Sequence, residues 1–296
     1  KGRIPIKRGN IELEPDQSDF DSLDVNPVML GQTGGSSGKP TRTKMDLDYI
    51  ALMAKNIALS YDIYGIFDSP KLMWFGLLPD NTGALVTLTT AHIDNVIKRW
   101  FSPIRNNESN YGSYYILLTY LMIILERFYG LQTPFPEHVP LDKPLPIAKA
   151  LAETIQKHSS ACLHAQTSKC VRVAVEAQQH NIDLSGVTFY GGGEPITLTK
   201  LATIEASGAR FITHYGSTEA GTIGLACTNS TWVDDVHFMN NSLAMIQRPK
   251  QICDQTVDAF HFTSLLSTNP KMLINVQSDD FGIVEERDCG CPLHQL

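Results

Sequence analysis

An alternation of strand-like and helix-like segments, each running into a glycine, constrains the fold more than any other feature. SGVTFYGGG, residues 185–193, is a β-rich run that enters a glycine turn. TLTKLATIEASG, residues 197–208, has helical apolar spacing before a glycine, and RFITHYG, residues 210–216, is a second strand-like run into a glycine. Strands that alternate with helices predict an α/β fold whose sheet is covered by helices. Ligands in such folds bind where strands end in loops, so these glycine loops are the first place to look for a site.

Composition narrows the class of protein. The chain has 296 residues, 43% of them hydrophobic, so it can bury a large core as one or two domains. A formal charge of −7 argues against a nucleic-acid or membrane-surface partner, since such proteins usually carry a basic patch. Six cysteines are spread along the chain and no secretory signal is visible. We therefore expect a cytoplasmic protein with free thiols or metal ligands rather than disulfides.

The most apolar run is YYILLTYLMIILERF, residues 114–128. Its apolar part of about a dozen residues is shorter than the roughly 20 that a membrane-spanning helix needs. This run predicts a buried core helix and gives no reason to expect a membrane partner.

The first half of the chain predicts further elements. A short strand, a helix, a buried strand and a second helix are predicted at residues 27–32, 46–65, 71–78 and 91–101. The first helix has Asp46 as its N-cap candidate and Gly65 as its stop signal. The proline-rich residues 133–146 are the best internal linker candidate. From Trp232 onward, short strand-like runs predict an antiparallel sheet or a small barrel.

QTGGSSGKPT, residues 32–41, has the composition of a loop that holds an anion. Its glycines let backbone N–H groups approach a phosphate, and its hydroxyl side chains add donors. The loop is not a Walker A motif, because Thr33 stands where the first glycine belongs and Pro40 replaces the magnesium-binding hydroxyl. A surface turn rich in glycine and serine is the alternative interpretation of this stretch taken alone.

Three later motifs favour the phosphate interpretation. GGGEPIT at residues 191–197, HYGSTEAG at 214–221 and VQSDDFG at 276–282 follow the first loop in this order. The ordered set resembles the adenylate-forming enzymes, which include acyl- and aryl-CoA ligases, peptide-synthetase adenylation domains and luciferases. It is most similar to the phenylacetate–CoA ligase branch, which reads S-G-T-T-G-K-P-T, G-x-E-P and Y-G-x-[ST]-E. The resemblance extends from about Val28 to the end of the chain.

The resemblance implies both a fold and an activity. The fold is the α/β large N-terminal domain of these enzymes, with mixed sheets flanked by helices and a small antiparallel β-barrel-like subdomain. The activity joins a carboxylic acid to the α-phosphate of ATP, with Mg²⁺ as cofactor, and releases pyrophosphate. The acyl group then passes to a thiol, either that of CoA or that of an acyl or peptidyl carrier protein.

The resemblance also implies a role for each matching residue. The residues that fold over the β- and γ-phosphates are Thr33, Gly34, Gly35, Ser36, Ser37, Gly38 and Lys39. The residues of the strand-end turns that line the nucleotide are Gly192, Gly193, Glu194, Pro195, Gly216 and Ser217. Tyr215 matches the aromatic residue that packs on adenine, and Thr218 matches the hydroxyl that contacts the α-phosphate. Glu219 matches the carboxylate that holds magnesium, so Thr218 and Glu219 are the candidate catalytic pair.

Two acidic positions leave alternatives open. Asp280 matches the acid that binds the ribose hydroxyls, and Asp279 beside it is a second candidate. Relatives often read R-T-G-D here, whereas Gln277 replaces the arginine in this chain. Asp80 lies about where amino-acid-activating relatives keep an acid for the substrate ammonium, but a turn aspartate in PDNTG is the better interpretation.

A second constellation suggests zinc. Cys289 and Cys291 form a C-x-C pair, which can occupy two corners of a tetrahedral site. Cys227 and His237 complete a set similar to one in some relatives of the phenylacetate branch. Four such ligands leave no open position, so the resemblance implies a structural zinc ion. Free cysteines in a tail, with one core cysteine, are the alternative.

The motifs divide the chain into three predicted subdomains. Residues 1–140 hold the phosphate loop, residues 141–230 the adenine and magnesium loops, and residues 231–296 a β-rich unit that ends near a hinge. The small C-terminal domain that follows the hinge in such enzymes is expected to be absent, so we expect binding of ATP but slow adenylation. Besides an acid–thiol ligase, the sequence allows an amino-acid adenylation enzyme or a degenerate nucleotide-binding relative without activity.

Overall fold

The computed structural model describes residues 5–32, 42–104 and 112–293. The predicted phosphate-binding residues Thr33 to Lys39 lie outside these ranges. The strands are β1 (Ile6–Arg8), β2 (Ile11–Leu13), β3 (Met29–Gln32), β4 (Arg42–Met45), β5 (Lys71–Trp74), β6 (Ile97–Ser102), β7 (Pro136–His138), β8 (Ala161–Gln166), β9 (Val187–Gly192), β10 (Arg210–Ser217), β11 (Gly221–Ala226), β12 (Val236–Phe238), β13 (Leu243–Ile252), β14 (Gln255–Ser264) and β15 (Val276–Phe281). The α-helices are α1 (Leu47–Ile63), α2 (Thr82–His92), α3 (Gly112–Phe128), α4 (Leu145–His158), α5 (Thr167–Gln179) and α6 (Leu198–Glu205).

An eight-stranded sheet with the order β12-β11-β10-β9-β8-β5-β6-β7 organises the described residues. Neighbouring strands are parallel from β7 to β10, and β11 and β12 add antiparallel strands at one edge. The prediction of an α/β fold is therefore confirmed. Parallel neighbours run in the same direction, so the carboxyl ends of β8, β9 and β10 lie side by side at one edge of the sheet.

Each face of the sheet has its own core. Leu163 and Phe189 pack with apolar residues of α4, α5 and α6. Cys162 and Tyr190, one position away on the same strands, pack instead with α1. Side chains alternate between the two faces of a strand, so α1 covers the face opposite to α4, α5 and α6.

The predicted boundaries of α1 are confirmed, and both have a local cause. The Asp46 carboxylate accepts a hydrogen bond from the backbone N–H of Tyr49 at 2.8 Å, which satisfies a donor that the first helical turn leaves free. After the C-cap residue Tyr64, Gly65 has φ +63°, a left-handed conformation that suits glycine. The helix following the phosphate loop is thus fixed in length by short-range signals.

The prediction of a helix at residues 91–101 is wrong. Helix α2 ends at His92, and β6, which lies between β5 and β7, occupies Ile97–Ser102. Ile97, Trp100 and Phe101 are all buried, and their spacing of three and four residues imitates a helical stripe. A strand covered on both faces produces the same apolar run, and the sheet partners decide the outcome.

Helix α3 exists as predicted, but it is not a buried core helix. Leu117, Leu121 and Phe128 are 65%, 47% and 84% exposed, whereas Ile123 is fully buried. The helix connects β6 to β7 at one edge of the sheet, so one of its faces packs against the described part of the protein and the other is exposed there. No helix of the described ranges has the length and apolarity that crossing a membrane requires.

The proline-rich segment is not a free linker. It contains β7, which pairs in parallel with β6 and is the edge strand of the sheet. Proline tolerates an edge position because the missing N–H would face away from the ladder. Strands on both sides of residue 140 share this one sheet, and the division into three subdomains stays a prediction.

The C-terminal part forms a smaller antiparallel sheet, β13-β14-β15, which confirms the predicted antiparallel sheet. Strand β12, although it follows Trp232, joins the large sheet instead. Lys271 forms a buried ion pair with Asp21, which ties this unit to the N-terminal segment. Apolar residues of β13 and β14 pack against β11 and β12, so the small sheet stands beside the antiparallel edge of the large sheet.

Candidate active site

The predicted nucleotide turns lie together at the carboxyl ends of β9 and β10. His214 and Gly192 are paired in the parallel ladder. A Cβ atom on Gly192 would lie only 2.5 Å from the backbone oxygen of His214. On Gly191 it would lie 2.4 Å from the ring of Phe211. Gly191 and Gly192 of the GGGE motif are therefore required by close packing against β10.

Glu194 anchors the β9 turn to the start of α5. Its carboxylate accepts hydrogen bonds from Ser168, at 2.8 Å from the hydroxyl and 3.2 Å from the backbone N–H. Its backbone oxygen accepts a bond from the Thr167 hydroxyl at 3.0 Å. Lys200 donates to the backbone oxygen of Pro195 at 2.8 Å. These partners were not predicted, since nothing in the sequence links the start of α5 to the turn.

Tyr215 and Asp280 meet although 65 residues separate them in the chain. The Tyr215 hydroxyl donates a hydrogen bond to the Asp280 carboxylate at 2.6 Å. Burial raises the pKa of Tyr215, and the hydrogen bond to Asp280 raises it further. Asp279 points elsewhere and pairs with Lys250 at 3.3 Å. Of the two acidic candidates, only Asp280 joins the predicted adenine residue.

Thr218 and Glu219 lie in the short connection between β10 and β11. Ser217 stabilises this turn by accepting a hydrogen bond from the backbone N–H of Ala220 at 3.1 Å. Strand β3 passes close by, because a Cβ atom on Gly31 would lie 2.8 Å from the methyl group of Thr218. Gln32 and Arg42 are paired across β3 and β4. Gln32 and Arg42, which flank the predicted phosphate loop, are therefore the next pair along the strands from Gly31 and its contact with Thr218.

A buried tyrosine approaches the candidate magnesium ligand. The Tyr49 hydroxyl is buried and has no hydrogen-bond partner in the described ranges. A Cβ atom on Gly221 would lie 2.5 Å from it. Burial raises the pKa of Tyr49, and the negative charge of Glu219 raises it further. An orphaned buried donor near a carboxylate fits a magnesium site, because metal-bound carboxylates commonly accept a further hydrogen bond.

Cys227, His237, Cys289 and Cys291 form a cluster whose candidate ligand atoms all lie within 4.8 Å of one another. The Cys289 sulfur is 3.5 Å from Nε2 of His237. Burial raises the pKa of Cys227 to about 11, and the neighbouring thiols act in the same direction. A bound cation would lower this pKa again, because it stabilises the thiolates. The donor set of three sulfurs and one nitrogen is suited to tetrahedral zinc.

Asp80 performs a local role at the start of α2, where its carboxylate accepts a hydrogen bond from the backbone N–H of Thr82 at 3.1 Å. Lys169, which the sequence did not single out, lies buried nearby and donates to the backbone oxygen of Trp74 at 3.1 Å. Burial lowers the pKa of Lys169, while Asp80 and Glu194 act in the opposite direction. The contact to Thr82 matches the turn interpretation of Asp80.

Comparison with solved structures gives matches to 2-hydroxyisobutyryl-CoA ligase. Its complex with 2-HIB-AMP and CoA in the thioesterification state aligns with a TM-score of 0.59 and 14% identity, covering 94% of this chain and 51% of that one. The open conformation with the same ligands gives a TM-score of 0.57 and 14% identity, covering 88% and 54%. The chain thus spans about half the length of the structures it matches. No protein-family model and no curated protein sequence matches it.

Sequence identity at this level establishes a shared fold rather than a shared activity. The alignment covers 94% of this chain, whose described residues form the large sheet and the small antiparallel sheet. The described residues therefore have the α/β fold of the N-terminal domain of adenylate-forming enzymes.

Proposed function

We propose that the protein is an AMP-forming ligase that activates a carboxylic acid with ATP and passes the acyl group to a thiol. The observation that carries this proposal is the contact between Tyr215 and Asp280 at the carboxyl edge of the sheet. An aromatic ring and a carboxylate joined there suit a nucleoside, because the ring can pack on a base and the carboxylate can accept hydrogen bonds from a vicinal diol.

Each of the other candidate residues is assigned to one part of ATP, from the base to the terminal phosphates. The Gly192–Pro195 turn faces the base, Thr218 serves the α-phosphate, and residues 33–39 hold the β- and γ-phosphates. Glu219 would hold magnesium, which supplies positive charge to neutralise the phosphates. In this arrangement the protein contributes mainly positioning and charge stabilisation.

The acceptor is proposed to be CoA or a carrier protein. Support for CoA comes from 2-hydroxyisobutyryl-CoA ligase, whose structures contain an acyl-adenylate and CoA. The motifs GGSSGKPT, GGEPIT and YGSTE favour the phenylacetate–CoA ligase branch. We further propose a cytoplasmic location, on the basis of cysteines expected to be thiols or metal ligands. The chain spans about half of the structures it matches, and we propose slow adenylation by this chain alone.

Calorimetric titration of this chain with ATP in the presence of Mg²⁺ tests the nucleotide assignment. We expect Glu219→Ala to weaken Mg²⁺-dependent binding strongly. Glu205→Ala is the matched control, because Glu205 is an exposed acid at the end of α6, away from the site. Binding that is equally strong in both variants would remove Glu219 from the site.

ATP–pyrophosphate exchange tests the chemistry. The assay uses the longest available form of the protein with aryl, fatty and amino acids. Exchange with aryl or fatty acids supports the proposal, whereas exchange restricted to amino acids would identify an amino-acid adenylation enzyme. Binding of ATP without exchange for any acid would point to a relative that has lost the chemistry.

We also propose that Cys227, His237, Cys289 and Cys291 hold a structural zinc ion, on the strength of their close approach. Metal analysis of chain purified without chelator is expected to give one zinc ion per chain, and Cys289→Ser to lose it and lower the melting temperature. Cys253→Ser is the control, because Cys253 is exposed and outside the cluster. Unchanged zinc content in Cys289→Ser would contradict the assignment.

A further inference from the structure

Tyr49 buries a hydroxyl group for which the described residues provide no partner. The residue is 1% exposed and lies in the first turn of α1, directly after the strand that leaves the predicted phosphate loop. Its backbone N–H is satisfied by Asp46, but its side-chain oxygen has no hydrogen bond. Buried donors are nearly always paired in native proteins, so this hydroxyl requires an explanation.

The position of the hydroxyl indicates what it serves. It lies against Gly221, which has φ +75° and no side chain to block the approach. Glu219 is half-buried and lies two residues before Gly221, at the same end of β11, and its negative charge raises the pKa of Tyr49. Within the described ranges the Glu219 carboxylate accepts no hydrogen bond and forms no ion pair, so it is free to accept one from a donor at this end of the strand.

We propose that Tyr49 is a positioning residue for Glu219, donating its O–H to the carboxylate oxygen that does not bind magnesium when the nucleotide site is loaded. This inference rests on the function proposed above. A carboxylate that ligates a metal through one oxygen can rotate unless its other oxygen is held, and such outer hydrogen bonds orient metal ligands generally. The tyrosine would thereby connect the helix that follows the phosphate loop to the magnesium carboxylate.

Replacing Tyr49 with phenylalanine removes the hydroxyl and keeps the packed ring. The test measures ATP binding to the full chain by calorimetry over a series of Mg²⁺ concentrations, and without Mg²⁺. We expect Tyr49→Phe to weaken the Mg²⁺-dependent affinity about tenfold, the lower end of what loss of an outer-shell partner produces. Metal-free ATP binding and the melting temperature are expected to be unchanged, which a purely structural role would not allow.

Tyr190→Phe is the matched control. Tyr190 is also a buried tyrosine facing α1, but its ring packs against Tyr61 and His164, and its hydroxyl faces Ser60 rather than a carboxylate. This variant is expected to keep the magnesium dependence of the parent. If it weakens that dependence as much as Tyr49→Phe does, the assignment of Tyr49 is overturned.

A double-mutant cycle with Glu219→Ala isolates the pair. Once the carboxylate is absent, Tyr49→Phe is expected to cause no further loss of Mg²⁺-dependent affinity. An equal loss with and without Glu219 would overturn the inference while leaving the proposed function intact. Failure of the unsubstituted chain to bind ATP with Mg²⁺ would overturn both.

Discussion

At the scale of single residues, the ring and the hydroxyl of Tyr215 have different roles, which two substitutions can measure separately. Its ring is proposed to pack on adenine, and its hydroxyl donates to Asp280. We expect Tyr215→Ala to weaken AMP binding by about 10- to 100-fold, because losing one base–aromatic stack costs about 1–3 kcal/mol. Tyr215→Phe keeps the ring and should retain most of the affinity in the same titration. Equal losses in the two variants would mean that the ring does not bind the base.

Asp280 and Asp279 allow an equally direct comparison. Asp280 contacts Tyr215, whereas Asp279 pairs with Lys250. Asp280→Asn is expected to weaken binding of ATP about tenfold, since a hydrogen bond to a charged group contributes about 1.5–3 kcal/mol. It should affect 2′-deoxy-ATP less, because one ribose hydroxyl is already missing. Asp279→Asn is the control, and a larger effect there would reverse the assignment.

At the scale of elements, the β10–β11 hairpin depends on a glycine that no other residue replaces without cost. Gly221 has φ +75°, and a Cβ atom there would overlap the Tyr49 hydroxyl at 2.5 Å. We expect Gly221→Ala to lower the free energy of unfolding by about 3 kcal/mol, from left-handed strain and overpacking together. Gly65→Ala shares the positive φ but meets open space, so it should cost only about 1 kcal/mol. Urea unfolding of the two variants measures the difference.

The same elements show what the sequence could and could not predict. The ends of α1 were predictable because Asp46 and Gly65 act on their immediate neighbours. Strand β6 was not, because Trp100 and Phe101 fit a helical stripe until the sheet supplies partners on both sides. The assignment of Tyr215 and Asp280 to one nucleotide was expected only through a family resemblance, and the hydrogen bond between them was not predicted. Tyr49 was missed, because an unpaired buried hydroxyl is a property of packing and leaves no pattern in the chain.

At the scale of the whole molecule, two histidines that lie between the large sheet and α1 couple stability to pH; His164 is buried, and His214 is half-buried with its Nε2 atom buried. Burial lowers the pKa of His164 to about 3 and that of His214 to about 4, against about 6.5 in an unfolded chain. Below about pH 6.5 the unfolded state therefore binds protons that the folded state excludes, and stability falls as the pH approaches 4. The stability is fully present above pH 6.5, where both states are neutral at these positions.

Urea unfolding at pH 7 and pH 5 measures this coupling. We expect His214→Leu to reduce the loss of stability between the two pH values by about 2 kcal/mol, which is one histidine's share over that interval. The quantity compared is the change in unfolding free energy between the two pH values, so an effect of the substitution that is the same at both values cancels. His158→Gln is the control, because His158 is exposed at the end of α4. An unchanged slope in His214→Leu would show that this histidine is not buried in its neutral form.

The position of strand β11 affects how the protein should be purified. It is six residues long, with the Glu219 turn before its first residue and Cys227 after its last. The proposed zinc ion and the proposed magnesium site thus hold opposite ends of one strand about 20 Å in length. Purification with a strong chelator would remove the zinc ion and free the end of β11 at Cys227, which would leave the Glu219 end poorly positioned. Such a preparation would bind ATP weakly even after Mg²⁺ is added back, although every residue of the proposed nucleotide site was intact.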